Sequence, residues 1–203
     1  MDCDHPVLQE TEMALLSPTH RHRALMAFGL GLALAVVLLG AAPAVATVLV
    51  MPDGTIGPQP YQSWVDAAYV PTPPGEIMLS LAGCPGDPPL PACSPANQGT
   101  IQLSAGWAGK HVLLHEMGHI FDDLMPDWAR GRFRGMVVRR PMIWTAANAG
   151  GPPNEQFAEA YALCATRLSL RRQAFEGYRY APTPKMHRKV CSLISAAGRG
   201  FGE

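Results

Sequence analysis

Five residues near the middle of the chain, His115-Glu116-Met117-Gly118-His119, set two imidazoles four positions apart with a carboxylate beside the first. On an α-helix, positions i and i+4 share a face one turn apart. Two imidazole nitrogens so placed can meet on one zinc ion, while Glu116 reaches toward a water that the metal activates. A pentapeptide of this kind also arises by chance. The chemistry therefore requires a helix to carry it and a third protein ligand to complete it.

The helix is legible in the surrounding residues. From Lys110 to Leu124 there is no proline, and Pro126 follows directly. Val112, Leu113, Leu114, Met117, Ile120, Phe121 and Leu124 recur at spacings of three and four, which predicts a buried helix ended by the proline. Gly118 inside it costs of order 1 kcal/mol relative to alanine, a cost that makes sense if another backbone or a ligand approaches closely. His111 precedes His115 by four, so three histidines line one face. Successive i+4 positions step about 6 Å along the axis and zinc–nitrogen bonds are about 2 Å, so one ion cannot take all three. His111 is read as a residue of the helix start or the pocket wall.

The third ligand is found by spacing. The metzincin pattern puts it six residues after the second histidine, where this chain has Met125, and puts glycine where it has Asp122; that class is excluded. Asp123 lies one turn after His119 and is within reach in principle. The stronger candidate lies downstream, where Pro152 and Pro153 lead into Asn154–Ala165, a helical segment with Asn154 as expected N-cap. Glu155 and Glu159 stand one turn apart on this otherwise apolar helix, a costly arrangement unless the carboxylates are paired or bound to metal. Glu155 is assigned as third ligand. Glu159 is assigned to the far nitrogen of a ligand histidine, fixing its tautomer.

With both segments in view, the chain resembles the gluzincins, closest to the compact minigluzincins and the catalytic domain of anthrax lethal factor. The resemblance rests on His-Glu-x-Gly-His-x-x-Asp-Asp at 115–123 and Glu-x-Phe-Ala-Glu-Ala-aromatic at 155–161. It implies zinc ligands His115, His119 and Glu155, catalytic base Glu116, and supporting roles for Glu159 and Asp122. Lethal factor-like enzymes carry a tyrosine seven residues before the ligand glutamate; here that residue is Asn148. Asn148 and Tyr161 are the candidates for oxyanion support, with Tyr178 and Tyr180 as further tyrosines.

Upstream, polar residues 1–23 end in His20-Arg21-His22-Arg23, and an uncharged apolar run follows from Ala24 to Met51. Its length suits a membrane span, and the flanking arginines predict a cytoplasmic N-terminus with everything after residue 52 exported. It is read either as a retained signal-anchor or as a signal peptide cut after Ala44-Val45-Ala46. Residues 52–60 read as a linker and 61–203 as the catalytic domain. Four cysteines lie in the exported part, and their order suggests bridges Cys84–Cys93, around a proline-rich loop, and Cys164–Cys191.

The expected fold is α+β: a compact zincin-like domain with a small sheet, an active-site helix and a glutamate helix, behind one N-terminal hydrophobic segment. A short helix is expected over 61–69, strands over 77–81 and 101–104, and a last helix over 184–197. In gluzincins a strand placed like 101–104 runs along the cleft, where its edge pairs with an extended peptide. Arg130, Arg132, Arg134, Arg139 and Arg140 are read as a solvated connection. The chain has formal net charge +0 and no recognition motif, which argues against nucleic-acid binding. The function expected is an extracytoplasmic endopeptidase with one Zn2+ per chain, acting on peptide or protein substrates, membrane-attached through 24–51 if that run is not cleaved. The rival is a secreted or tethered binding protein whose zinc is structural or whose protease site is inactive.

Overall fold

The computed structural model describes residues 46–85, 90–95, 98–137, 143–145, 152–167 and 180–201. The chain divides after Gly40, and all described residues belong to the unit Ala41–Glu203. They form a mixed α/β arrangement compatible with the α+β class: a four-stranded sheet and five α-helices. Strands β1 (Thr47–Val50), β2 (Gly75–Ser80) and β4 (Thr100–Leu103) are parallel neighbours, and β3 (Ala92–Cys93) runs antiparallel to β4. The sheet order is β1-β2-β4-β3. The helices are α1 (Tyr61–Asp66), α2 (Lys110–Leu124), α3 (Asp127–Val137), α4 (Pro153–Thr166) and α5 (Pro184–Gly198).

Three expectations need correcting. The final residues of the apolar run, Thr47–Val50, are a strand of the sheet, so the domain starts upstream of Tyr61. A continuous apolar stretch hides such a change of partner, because hydropathy does not distinguish a core strand from a span. Nor is 52–60 a free linker: Met51 N–H donates to Thr55 O, Gly57 N–H donates to Leu49 O, and Ile56 bridges back to Val50. Finally, β4 lies inside the sheet, with β2 on one side and β3 on the other, so the edge near the cleft belongs to β3. The opposite edge is partly covered by Gln62, whose amide accepts from Leu49 N–H and donates to Thr47 O, imitating a strand.

Residues 1–45, and with them most of the apolar run, lie outside the described residues. Among the described residues no helix is long and apolar enough to cross a membrane.

The core is built from the inward residues Leu49, Ile77, Leu79, Ile101 and Leu103 of the sheet, with Leu113, Leu114, Met117 and Phe121 of α2 and Phe157, Tyr161 and Leu163 of α4. Helix α2 packs chiefly along α4. Gly118 explains how closely. A Cβ there would lie 2.8 Å from Ala158 Cα and 3.1 Å from Ala158 O, both backbone atoms that cannot rotate away. The glycine thus serves a backbone approach.

Gly118→Ala gains helix propensity of about 1 kcal/mol and loses about 1–3 kcal/mol to overpacking. The clash is with backbone, so overpacking wins. Urea denaturation should show net destabilisation of about 1 kcal/mol, and bound metal should be lost more readily, because the two helices that carry the site are pushed apart.

Candidate metal centre

Helix α2 opens at Gly109 and stops before Pro126, and it holds His115, Glu116 and His119 on consecutive turns. Helix α4 opens on Pro153 in its first turn, which sets Glu155 one turn from Glu159. Because Gly118 meets Ala158, the two pairs face one another. His115 Nε2 lies 3.2 Å from Glu155 Oε2, and His119 Nε2 lies 3.4 Å from the same oxygen. The donor atoms of His115, His119 and Glu155 all fall within 4.8 Å of one another. Ligands held tetrahedrally about 2 Å from one ion stand about 3.3 Å apart. The donor set therefore fits a metal ion, and its nitrogen-and-oxygen chemistry suits zinc among other divalent ions.

Behind the ligands, Glu159 Oε2 lies 3.3 Å from His115 Nδ1, the contact expected of it, and Glu159 also meets His111 Nε2 at 3.1 Å. His111 is thereby placed behind the centre, on the carboxylate that orients His115. Asp123 is exposed and outside the donor group.

Asp122 is buried, but it accepts from Trp144 Nε1 at 2.6 Å and Arg130 Nε at 2.9 Å. Burial raises its pKa, opposed by Trp144 and Arg130 and least by His119. It ties α2 to α3 and to the segment leading toward α4. Arg130, Arg132 and Arg134 accordingly belong to helix α3, where a solvated connection was expected. Arg139, Arg140, Asn148 and Tyr178 lie outside the described residues.

The oxyanion expectation for Tyr161 is overturned. Its ring is fully buried against Phe121, and its hydroxyl donates to Pro71 O at 3.0 Å. Burial raises its pKa far above the ordinary phenol value. Tyr180 is likewise committed, through its hydroxyl, to His187 Nδ1 at 2.9 Å. The helical pattern placed Tyr161 on the glutamate helix but could not say which way it faced, and Tyr180 lies before α5 rather than on a helix.

The cleft is a cavity of about 260 Å³ lined by Glu116, His119, Asn154, Glu155 and the 90–94 segment that contains β3. Asn154 is the residue that spacing misassigned. The helix begins at Pro153, so Asn154 is no cap, and its Oδ1 is buried beside the site with no hydrogen-bond partner among the described residues. Both cysteine bridges, Cys84–Cys93 and Cys164–Cys191, are formed. The first pins the strand that walls the cavity, and the second pins the glutamate helix to α5.

Electrostatically the centre is a buried network of opposite charges. Burial disfavours charge on His115, but hydrogen bonds to Glu155 and Glu159 and the nearby Glu116 overcome it and raise its pKa to about 9. Burial pushes Glu155 and Glu159 up, and the histidines more than reverse this. Glu155 is held well below the usual carboxylate range by His115 and His119, and Glu159 is brought down to about 2 by His111 and His115. Glu116 differs: burial raises its pKa, and its two histidine neighbours only partly oppose this.

Comparison with protein-family models, with curated proteins and with solved structures returns no match to the chain.

A metal ion must displace the proton that the carboxylates hold on His115. Below about pH 9, binding should release that proton, so apparent affinity should climb by roughly tenfold per pH unit and flatten above. Calorimetric titration with zinc in buffers of different ionisation enthalpy should detect release of about one proton from this source at pH 7; affinity independent of pH between 6 and 8, on the order of that range, would contradict the charge assignment.

Proposed function

We propose that the chain is a zinc-dependent endopeptidase of gluzincin type that works outside the cytoplasm. The observation that carries this reading is the convergence of His115, His119 and Glu155 at tetrahedral ligand spacing, with Glu116 lining the same cavity. When bound, zinc supplies a Lewis acid that activates water and polarises a carbonyl.

The protein's own groups perform the rest. Glu116, with a pKa raised by burial, takes a proton from the attacking water and passes it to the departing amine. Glu159 holds Nδ1 of His115, which turns Nε2 toward Glu155 and the position a metal would take. Asn154 lines the cavity, and its Oδ1 can accept a hydrogen bond from a peptide N–H. Strand β3 lies at the end of the sheet, and its outer edge offers backbone groups to an extended peptide passing over the cavity. The disulfides favour an oxidising compartment. Export would leave the domain either tethered through 24–51 or released by cleavage after Ala46, which leaves β1 whole because that strand starts at Thr47.

A binding protein with a structural zinc, or with an inactive site, is the second reading. It is favoured by one observation: the hydroxyls of Tyr161 and Tyr180 are both engaged away from the cavity. Digestion of a peptide library with and without chelator separates the two, since only an enzyme gives chelator-sensitive cleavage.

Glu116→Gln should keep the zinc and lower kcat by about 10²–10⁴-fold, checked by metal analysis beside peptide cleavage; full activity in this variant would exclude the mechanism. Glu155→Ala should weaken zinc binding more than Glu159→Gln, for which a loss of about 10–100-fold is expected. Equal losses would mean that ligand and supporting carboxylate are exchanged.

A further inference from the structure

A second cluster of ligating side chains lies away from the first centre, between α4 and α5. Cys164, His187 and Cys191 have their sulfur and nitrogen atoms within 4.8 Å of one another. His187 and Cys191 are one turn apart on α5, and Cys164 faces them from α4. All three line an open cavity of about 600 Å³, together with Arg167 and Arg199. His187 Nε2 lies 3.6 Å from Cys191 Sγ. A nitrogen at about 2.0 Å and a sulfur at about 2.3 Å on one tetrahedral ion stand about 3.5 Å apart. The far nitrogen of the same ring is held by the buried Tyr180 hydroxyl at 2.9 Å, the kind of outer contact that orients a ligand histidine.

The two sulfurs are joined in a disulfide, which no metal ion can share. We infer that reduction of Cys164–Cys191 converts this cluster into a second metal site, a two-cysteine, one-histidine set for a thiophilic divalent ion such as zinc, with its fourth position open to the cavity. The reductant is a dithiol. One of its thiolates attacks a sulfur of the bridge, the sulfur–sulfur bond breaks, and the second thiolate resolves the mixed disulfide. The reductant leaves as its own disulfide, and two electrons and two protons remain on the cysteines. A divalent ion then replaces the two thiol protons. The bridge and the metal are therefore alternative cross-links between the glutamate helix and α5, and the redox environment selects between them.

Cobalt(II) tests this on the full chain, because thiolate ligands give a charge-transfer absorption that the nitrogen-and-oxygen donors of the first centre do not. The dithiol-reduced protein should take up one more cobalt ion per chain than the oxidised protein and show that absorption. Cys164→Ser should remove it, and Cys84→Ser should leave it intact. His187→Ala, which keeps both cysteines and can fold with the bridge in place before reduction, should weaken the reduced protein's extra cobalt by roughly tenfold or more. Equal uptake by oxidised and reduced protein, absorption that survives Cys164→Ser or is lost in Cys84→Ser, or unchanged affinity in His187→Ala would each overturn the proposal.

Discussion

The close approach of α2 to α4 at Gly118 and Ala158 is the constraint on which the rest of the site depends. Contact between a missing side chain and a helix backbone brings the axes near enough for short side chains to span the gap. His115, His119, Glu155 and Glu159 all meet across that line. Alanine at 118 would be a better helix former, so local preference is sacrificed to tertiary geometry. The same junction buries Phe121, Phe157 and Tyr161 around it, and the apolar core and the polar centre therefore share one interface.

That interface carries charges that an apolar core would not ordinarily accept. His115 and Glu159 are fully buried, and Glu116 nearly so. Without metal, the histidines and carboxylates compensate one another through hydrogen bonds to both nitrogens of His115. Such burial costs several kcal/mol per ion before pairing, so the arrangement makes little sense as a device for stability alone. A metal ion would replace a proton in a setting whose orienting carboxylate is already in place. Glu116 is the exception in this balance: its histidine neighbours do not offset its burial, and it is the carboxylate expected to exchange protons.

The periphery makes the cavity one-sided. Gln62 occupies the edge of β1, whereas β3 ends the sheet beside Glu116 and His119. The Cys84–Cys93 bridge and the bond from Ser104 N–H to Pro91 O hold that short strand against β4. Asp122 works from behind, drawing Arg130 of α3 and Trp144 onto the end of α2. Three small devices thus frame the cavity beside the candidate metal ligands.

The helices around the motif were legible because proline, glycine and three-to-four periodicity are local properties. Lys110–Leu124 was read to the residue, and the ligand set followed from i+4 spacing within each helix. Helix α3 was missed because its arginines suggested solvent, whereas Ala129 and Phe133 are the stripe it buries. Strand β1 was concealed in an apolar run whose partners are remote in sequence. What the sequence by itself determined is which residues can ligate and which share a helical face, since backbone repeat and donor chemistry set both. Only the tertiary structure decided that Tyr161 turns into the core, that Asn154 and β3 line the cleft, and that Asp122 serves Arg130 and Trp144. Those outcomes depend on how one element is rotated and seated against another, and that is determined by packing across the whole chain.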